Sequence, residues 1–288
     1  MGRNRSGLRW KTTLVGFACL TALIGCSKTA SQPRLADSGL VGEITTRGQL
    51  RVGLKFDLPA FSVEDATTGR IEGFDADIAR LIAFAIFGER NESRVSFVEV
   101  LSRDREEAIR GGKVDIVVST YTMTPEREKL VAFAGPYYVA GQDILVRRST
   151  TDITGVDSLA GRKTCSVNGS TSLANVRRLA PTADTTIAFD RYPLCVAALL
   201  DGRVDAVTTD DAILLGFLRQ DPDRLRLVGK PFTTEPYGIG LKLDATSLRT
   251  LVIDVLTKAE ADGSWKRIYE GTIGKAGLFA PQPPQLAP

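Results

Sequence analysis

Residues 112–127 read GKVDIVVSTYTMTPER. Gly112 ends a helical pattern, Val114 to Val118 form a short β-branched run, and that run stops in hydroxyls ahead of Pro125 and Arg127. The reading is strand, polar turn, helix start. Such a turn at the carboxyl end of a strand presents hydroxyl and backbone donors, which with a guanidinium hold a carboxylate as a bidentate pair. Thr124 before Pro125 and Glu126 is also an ordinary N-cap with proline in the first turn. By itself the motif leaves carboxylate binding and plain helix capping both open.

Outward from this stretch, strand and helix patterns alternate from Leu50 onward. LRVGLKF (50–56) precedes an amphipathic segment from Phe74 to Phe87, VSFVEV (95–100) precedes Arg105 to Arg110, and VDIVVST precedes a helix expected from Pro125 to Phe133. This is α/β order. A second series starts near Gly161, with RKTCSV (162–167), a helix from Ser172 to Leu179, a strand from Thr185 to Phe189, a helix from Pro193 to Leu200, and VDAVTTD (204–210). GGKVDIVVST from Gly111 and DGRVDAVTTD from Asp201 match in pattern, which fits either two lobes of similar build or a merely shared helix-glycine-strand turn. Two extended runs, 143–147 and 237–242, bracket the second series. As crossings they assign 44–147 and 238–275 to lobe 1 and 148–237 to an inserted lobe 2. A helix-turn-helix from Ala259 to Tyr269 is expected to dock through Trp265 and Tyr269, and the tail 276–288, ending in PQPPQLAP, is expected to be disordered. Parallel-strand ends of two such lobes face one another across a cleft. Lys55, Thr120, the run Gly169-Ser170-Thr171 and Asp210 fall there.

Composition narrows the function. The 288 residues suffice for two modest cores, and a net charge of +3 is too small and dispersed for nucleic-acid binding. The chain has no histidine, which removes histidine triads, imidazole acid/base chemistry and most zinc sites. Arg3, Arg5, Arg9 and Lys11 lead into an apolar stretch from Leu14 to Ile24, too short for a comfortable membrane span. Leu23-Ile24-Gly25-Cys26 resembles a bacterial lipobox, so 1–25 is expected to be a lipoprotein signal peptide, Cys26 the lipidated residue, and 26–43 a flexible tether. A plain secretory signal with an incidental cysteine is the alternative. Of four cysteines, Cys19 leaves with the signal and Cys26 carries lipid. Cys165 and Cys195 remain in an exported domain, where a disulfide is expected over two buried thiols.

The segments EGFDADIARLIA (72–83), GGKVDIVVSTYTMTPEREKLVAFAGPYY (111–138), GSTS (169–172), DGRVDAVTTDDAIL (201–214), EPYGIGLK (235–242) and ADGSWKRIY (261–269) together resemble the bacterial extracellular solute-binding proteins of family 3. These are the polar amino-acid receptors of ABC importers, and the resemblance is closer still to the glutamate-binding lipoproteins of actinobacteria. It covers Gly48 to about Gly271. It implies the two-lobed type 2 periplasmic binding protein fold, α/β in class, with two hinge crossings and the ligand in the inter-lobe cleft. It also implies no cofactor, no metal and no catalysis. The implied protein is a lipid-anchored monomer on the extracytoplasmic face of the membrane that delivers its ligand to an ABC permease.

Carried residue by residue, the resemblance makes Arg127 and Thr122 the clamp for an α-carboxylate, and Thr120 and Asp210 the site for the ammonium. Ser170 and Thr171 would close on the same carboxylate from lobe 2. Phe74 would pack beside the ligand, unless it is a core aromatic of its amphipathic helix. Relatives that bind acidic amino acids place a basic residue after the first strand and a serine and arginine three apart before the next helix. Lys55, Ser102 and Arg105 stand there, and Tyr192 is expected to reach the ligand side chain. For Arg105 the alternative is a solvated charge among Arg103, Asp104, Glu106 and Glu107. The implied ligand is L-glutamate or L-aspartate. A glutamine or asparagine receptor, a sensor reporting to a membrane signalling protein, and an enzyme on the same fold are the competing readings.

Overall fold

Two five-stranded sheets organise the chain in the computed structural model, which describes residues 39–180, 186–277 and 281–285. The expected signal peptide and Cys26 lie outside those residues. In lobe 1 the strand order is Val95–Glu99, Leu50–Leu54, Ile116–Val117, Glu235–Leu241, Ala132–Ala140. The first three are parallel, and each of the last two runs antiparallel to the strand before it. In lobe 2 the order is Thr186–Phe189, Thr164–Val167, Ala206–Asp210, Gln142–Arg147, Leu225–Leu227, with the same alternation of directions.

The matched segments from Gly111 and Asp201 are therefore equivalent in space as well as in pattern. Each supplies the third strand of its sheet, between the parallel second strand and an antiparallel crossing strand. Even the turns repeat: Lys113 N and Val114 N both donate to Ala108 O, and Arg203 N and Val204 N both donate to Ala198 O. Gly112 at φ +69° and Gly202 at φ +73° supply the left-handed residue each turn needs. Two lobes of similar build account for the echo.

Sheet pairing draws the crossings at different points from those expected. Gln142–Arg147 pairs with Ala206–Asp210 and Leu225–Leu227, so the chain has already entered lobe 2 after Gly141. Glu235–Leu241 pairs along its length with Ala132–Ala140, so lobe 1 resumes at Glu235. A boundary at 147/148 would leave the whole strand Gln142–Arg147 in the wrong lobe, and one at 237/238 would cut through Glu235–Leu241. The helix expected from Pro125 to Phe133 is only one turn, Pro125–Glu128, and Ala132–Ala140 is a strand. Its run AFAGPYYVA is apolar on both sides, and Pro136, which would remove a ladder donor from a central strand, is tolerated because this strand lies at the sheet edge.

Two other expectations change. The helix Gly39–Arg47 begins inside the proposed tether and buries Val41 and Ile44 in the lobe 1 core. At the other end Ala276 is buried in a short 3-10 turn, Ile273–Ala276, while 281–285 carry no helix or strand. The docking helix forms as Ser264–Gly271, with Trp265 and Tyr269 buried and the Trp265 indole donating to Tyr137 O at 2.7 Å. Cys165 and Cys195 form a disulfide across 30 residues, tying the strand Thr164–Val167 to the helix Tyr192–Leu200 within lobe 2.

Candidate functional site

The carboxyl ends of the parallel strands meet between the lobes. Ten of the eleven anticipated ligand residues line one cavity there: Lys55, Ser102, Arg105, Thr120, Thr122 and Arg127 from lobe 1, and Ser170, Thr171, Tyr192 and Asp210 from lobe 2. Its free room is about 10 Å³, about one water molecule, because the lobes and the guanidinium groups themselves fill it.

The turn at 122–127 caps its helix and brings Arg127 to the cavity. Thr124 Oγ1 accepts from Arg127 N at 3.3 Å as an N-cap, and that cap fixes the one-turn helix that aims Arg127 into the cavity. Arg127 Nη1 donates to Thr122 O at 2.6 Å, and Nη2 crosses the cleft to Gly169 O at 2.9 Å. Its Nε lies 3.6 Å from Glu106. Thr122 Oγ1 meets Thr171 Oγ1 across the cleft at 3.4 Å, and Thr171 Oγ1 donates to Glu235 at 2.8 Å. Ser170 is held as the N-cap of the helix Thr171–Leu179, accepting from Leu173 N at 3.0 Å.

Arg105 is 2% exposed, which rules out the solvated-charge alternative. The 3-10 turn Ser102–Asp104 tips its helix so that the guanidinium points inward. There it donates to Ser102 O at 3.0 Å, Ser119 O at 3.1 Å and, more distantly, Gly169 O at 3.4 Å, with the plane over the Tyr121 ring at 4.1 Å. All of these acceptors are neutral carbonyls. Among the described residues Arg105 has no acid within ion-pair distance. Burial, and then the neighbouring Arg127 charge, lower its pKa to about 10. Lys55 is in the same position: its Nζ lies 3.4 Å from Thr120 Oγ1 and 5.8 Å from the centre of the Tyr192 ring. Burial, reinforced by Arg105, brings its pKa down to about 7. Ser102 Oγ lines the cavity fully buried and has no hydrogen-bond partner among the described residues.

Thr120 is strained. A β-branched residue at φ +43° is an outlier, and the conformation is held by its N–H donating to the buried Asp75 carboxylate at 2.9 Å. Asp210, at the end of Ala206–Asp210, is the one acid among the cavity-lining residues; burial, then Glu235, pushes its pKa up to about 7.

Phe74 is a correction. It is fully buried in lobe 1 among Phe61, Tyr137, Tyr138, Trp265 and Tyr269, with ring centres 5.9–6.3 Å away, and it does not line the cavity. The amphipathic stripe that raised the core alternative was the decisive signal. Two lining residues were missed, Ser172 and Ile213. Ser172 follows Thr171 in the quoted GSTS run, and Ile213 lies three residues past Asp210 in the first turn of Asp211–Gln220, so both were within reach of helical spacing.

A groove of about 440 Å³ elsewhere on lobe 1, between Phe74–Phe87 and Ser264–Gly271, is roomier. Its central cation Arg80 is already paired with Asp77 and Glu92. In the cleft, by contrast, the buried Arg105 and Lys55 have no acid within ion-pair distance among the described residues.

Comparison with known proteins identifies the family. The sequence pattern of the bacterial extracellular solute-binding proteins, family 3, matches residues 50–275. The ABC transporter glutamine-binding protein GlnH of Bacillus subtilis is 38% identical over 263 residues, 90% of this chain and 95% of that protein. The glutamate-binding protein GluB of Corynebacterium efficiens is 33% identical over 275 residues, 93% of this chain and 92% of its own length. Among solved structures, an ancestral arginine-binding protein bound to arginine superposes with a TM-score of 0.73 at 35% identity, covering 78% of this chain and 98% of that one. Members of this family are solute-binding proteins, not enzymes. Among the described residues no helix is long and apolar enough to cross a membrane. The chain belongs to the bacterial extracellular solute-binding proteins of family 3, as an amino-acid-binding protein of the ABC-transporter class.

Proposed function

We propose that this chain is a lipid-anchored receptor for an acidic amino acid, L-glutamate or L-aspartate, which it delivers to an ABC importer at the outer face of the cell membrane. One observation carries the reading: three cations, Lys55, Arg105 and Arg127, converge on a cavity whose lining offers a single carboxylate, Asp210. An α-amino acid brings one carboxylate and one ammonium, which occupy Arg127 and Asp210. The buried Arg105 and the partly charged Lys55 are then left over, and a second carboxylate answers them. Truncating one side of a buried charge pair costs about 2–5 kcal/mol, so a neutral side chain facing Arg105 is disfavoured by a comparable amount.

Exchange of ligand requires movement. The cavity is smaller than any amino acid, so entry needs the lobes to part about the crossings at Gly141 and Glu235. Arg105 and Arg127 must also leave the carbonyl of Gly169. A carboxylate is the stronger acceptor for a guanidinium, so a ligand that offers two competes well for both.

The test is titration calorimetry of the purified protein against the proteinogenic amino acids. Glutamate or aspartate binding well above glutamine supports the reading; glutamine binding tighter than glutamate overturns it. The glutamine alternative has its own support, since GlnH is slightly more similar to this chain than GluB is. The anchor has a separate test: intact mass of membrane-extracted protein with diacylglycerol on Cys26, against a soluble product beginning elsewhere.

A further inference from the structure

The acid read above as the ammonium acceptor is not held by its own lobe alone. Asp210 ends a lobe 2 strand and is buried. Its Oδ1 has a weak contact, Ser172 Oγ at 3.4 Å. Its Oδ2 accepts the hydroxyl of Tyr237 at 2.5 Å. Tyr237 belongs to the lobe 1 strand Glu235–Leu241, two residues past the second crossing, and it does not line the cavity. Its ring is wedged among Phe61, Tyr137 and Tyr138, with centres 5.7–6.2 Å away, so packing fixes the direction in which the hydroxyl points. The cluster aims one polar atom at one oxygen of the acid.

We infer that Tyr237 is a positioning residue, which orients the Asp210 carboxylate from the opposite lobe and leaves Oδ1 turned to receive the ligand's ammonium. The inference rests on the reading of Asp210 as the ammonium site.

The surroundings show why such help matters. Burial raises the pKa of Asp210 to about 7, and the charges of Glu235 and Asp211 push the same way. The Tyr237 hydroxyl and Lys55 oppose them. Tyr192 and Tyr138 also face the group, and burial holds both phenols in their neutral form. Lys55, itself brought down to about 7, is only partly charged at neutral pH. A hydrogen bond donated to the anion favours the charged form. Without the hydroxyl, Asp210 takes up a proton at a higher pH and loses its grip on an ammonium ion.

The experiment compares wild type, Tyr237→Phe and Asp210→Asn by calorimetry with L-glutamate and L-glutamine as probes, from about pH 5.5 to about pH 8.5, a range that brackets the Asp210 value. Tyr237→Phe removes one oxygen and keeps the ring in its cluster; its melting curve shows that the fold is intact. Its affinity for both probes should fall about ten-fold at neutral pH and recover as the pH rises, with the acid limb of binding moved up by about one pH unit. The glutamate-to-glutamine ratio should not change, because both probes carry the same ammonium. An acid limb in the wild-type position overturns the inference, whatever the loss in affinity, since a packing role would not touch it. Asp210→Asn separates this failure from failure of the parent reading. If Asp210→Asn loses at least about ten-fold while Tyr237→Phe keeps the wild-type limb, only the role of Tyr237 falls. If Asp210→Asn binds as tightly as wild type, or if wild type binds neither probe, the ammonium site falls and the inference with it.

Discussion

Lobe 1 and lobe 2 share one strand order, and both turn the ends of their parallel strands to the cleft, but they bring different chemistry there. Lobe 1 supplies Lys55, Arg105 and Arg127; lobe 2 supplies the hydroxyls of Ser170, Thr171 and Ser172, the Tyr192 ring, Asp210 and the carbonyl of Gly169. The cations on one wall would repel one another if no acceptor stood opposite. The second wall provides it, through a glycine whose carbonyl takes both Arg105 and Arg127. Gly169 lies at φ +77°, and a Cβ there would sit 2.5 Å from the Arg103 backbone, so only glycine lets the second wall come this close. In the proposed complex the cationic wall would grip carboxylates and the hydroxyl-rich wall would close over them.

That division can be broken most severely at Arg127. In the proposed complex it holds the α-carboxylate shared by all amino acids, so Arg127→Ala should cost at least about 5 kcal/mol and abolish binding of every amino acid in calorimetry. Retained binding of any of them would take the gripping role away from this wall.

Arg105 sharpens the contrast within lobe 1. Arg105→Ala should weaken glutamate or aspartate by roughly 2–5 kcal/mol and glutamine by much less, so the acidic-to-neutral affinity ratio is the quantity to follow. An unchanged ratio would remove the main support for an acidic ligand.

The staple belongs to lobe 2 alone. Reducing Cys165–Cys195 opens a closed loop of 30 residues and should lower stability by about 2–4 kcal/mol, seen as a drop in melting temperature. Ligand selectivity should survive, because the cations that set it are on the other wall. A change in selectivity on reduction would show that lobe 2 shapes the choice of ligand.

The smallest effect is expected at the rim, where Arg191 of lobe 2 bonds Asp57 at 3.1 Å and Glu99 of lobe 1. Its side chain is 37% exposed, so salt screens it, and Arg191→Ala should weaken ligand binding by no more than about 1 kcal/mol at low salt. Titrations at rising ionic strength should bring variant and wild type together. A loss that persists in high salt would mean that the rim contact acts through packing.

The sequence by itself determined what is written within a few neighbouring residues. The hydroxyl-proline-arginine turn of 112–127 and the repeated glycine turns before the third strands each depend on local backbone chemistry, and each is found in place. Ten cavity residues were legible because they sit at strand ends or in the first turn of a helix, within the span that the family resemblance covers. Tertiary structure alone decided the rest. Whether Phe74 faced ligand or core depended on aromatics as far along the chain as Tyr269, and the lobe boundaries depended on which sheet claimed the strands Gln142–Arg147 and Glu235–Leu241. The bond from Tyr237 to Asp210 spans 27 residues and two lobes, with nothing in either local pattern to announce it. Hydrophobic periodicity states that a side chain is buried, but only the packed chain fixes its neighbours, because contact partners are chosen by the docking of whole elements and not by the residues beside them.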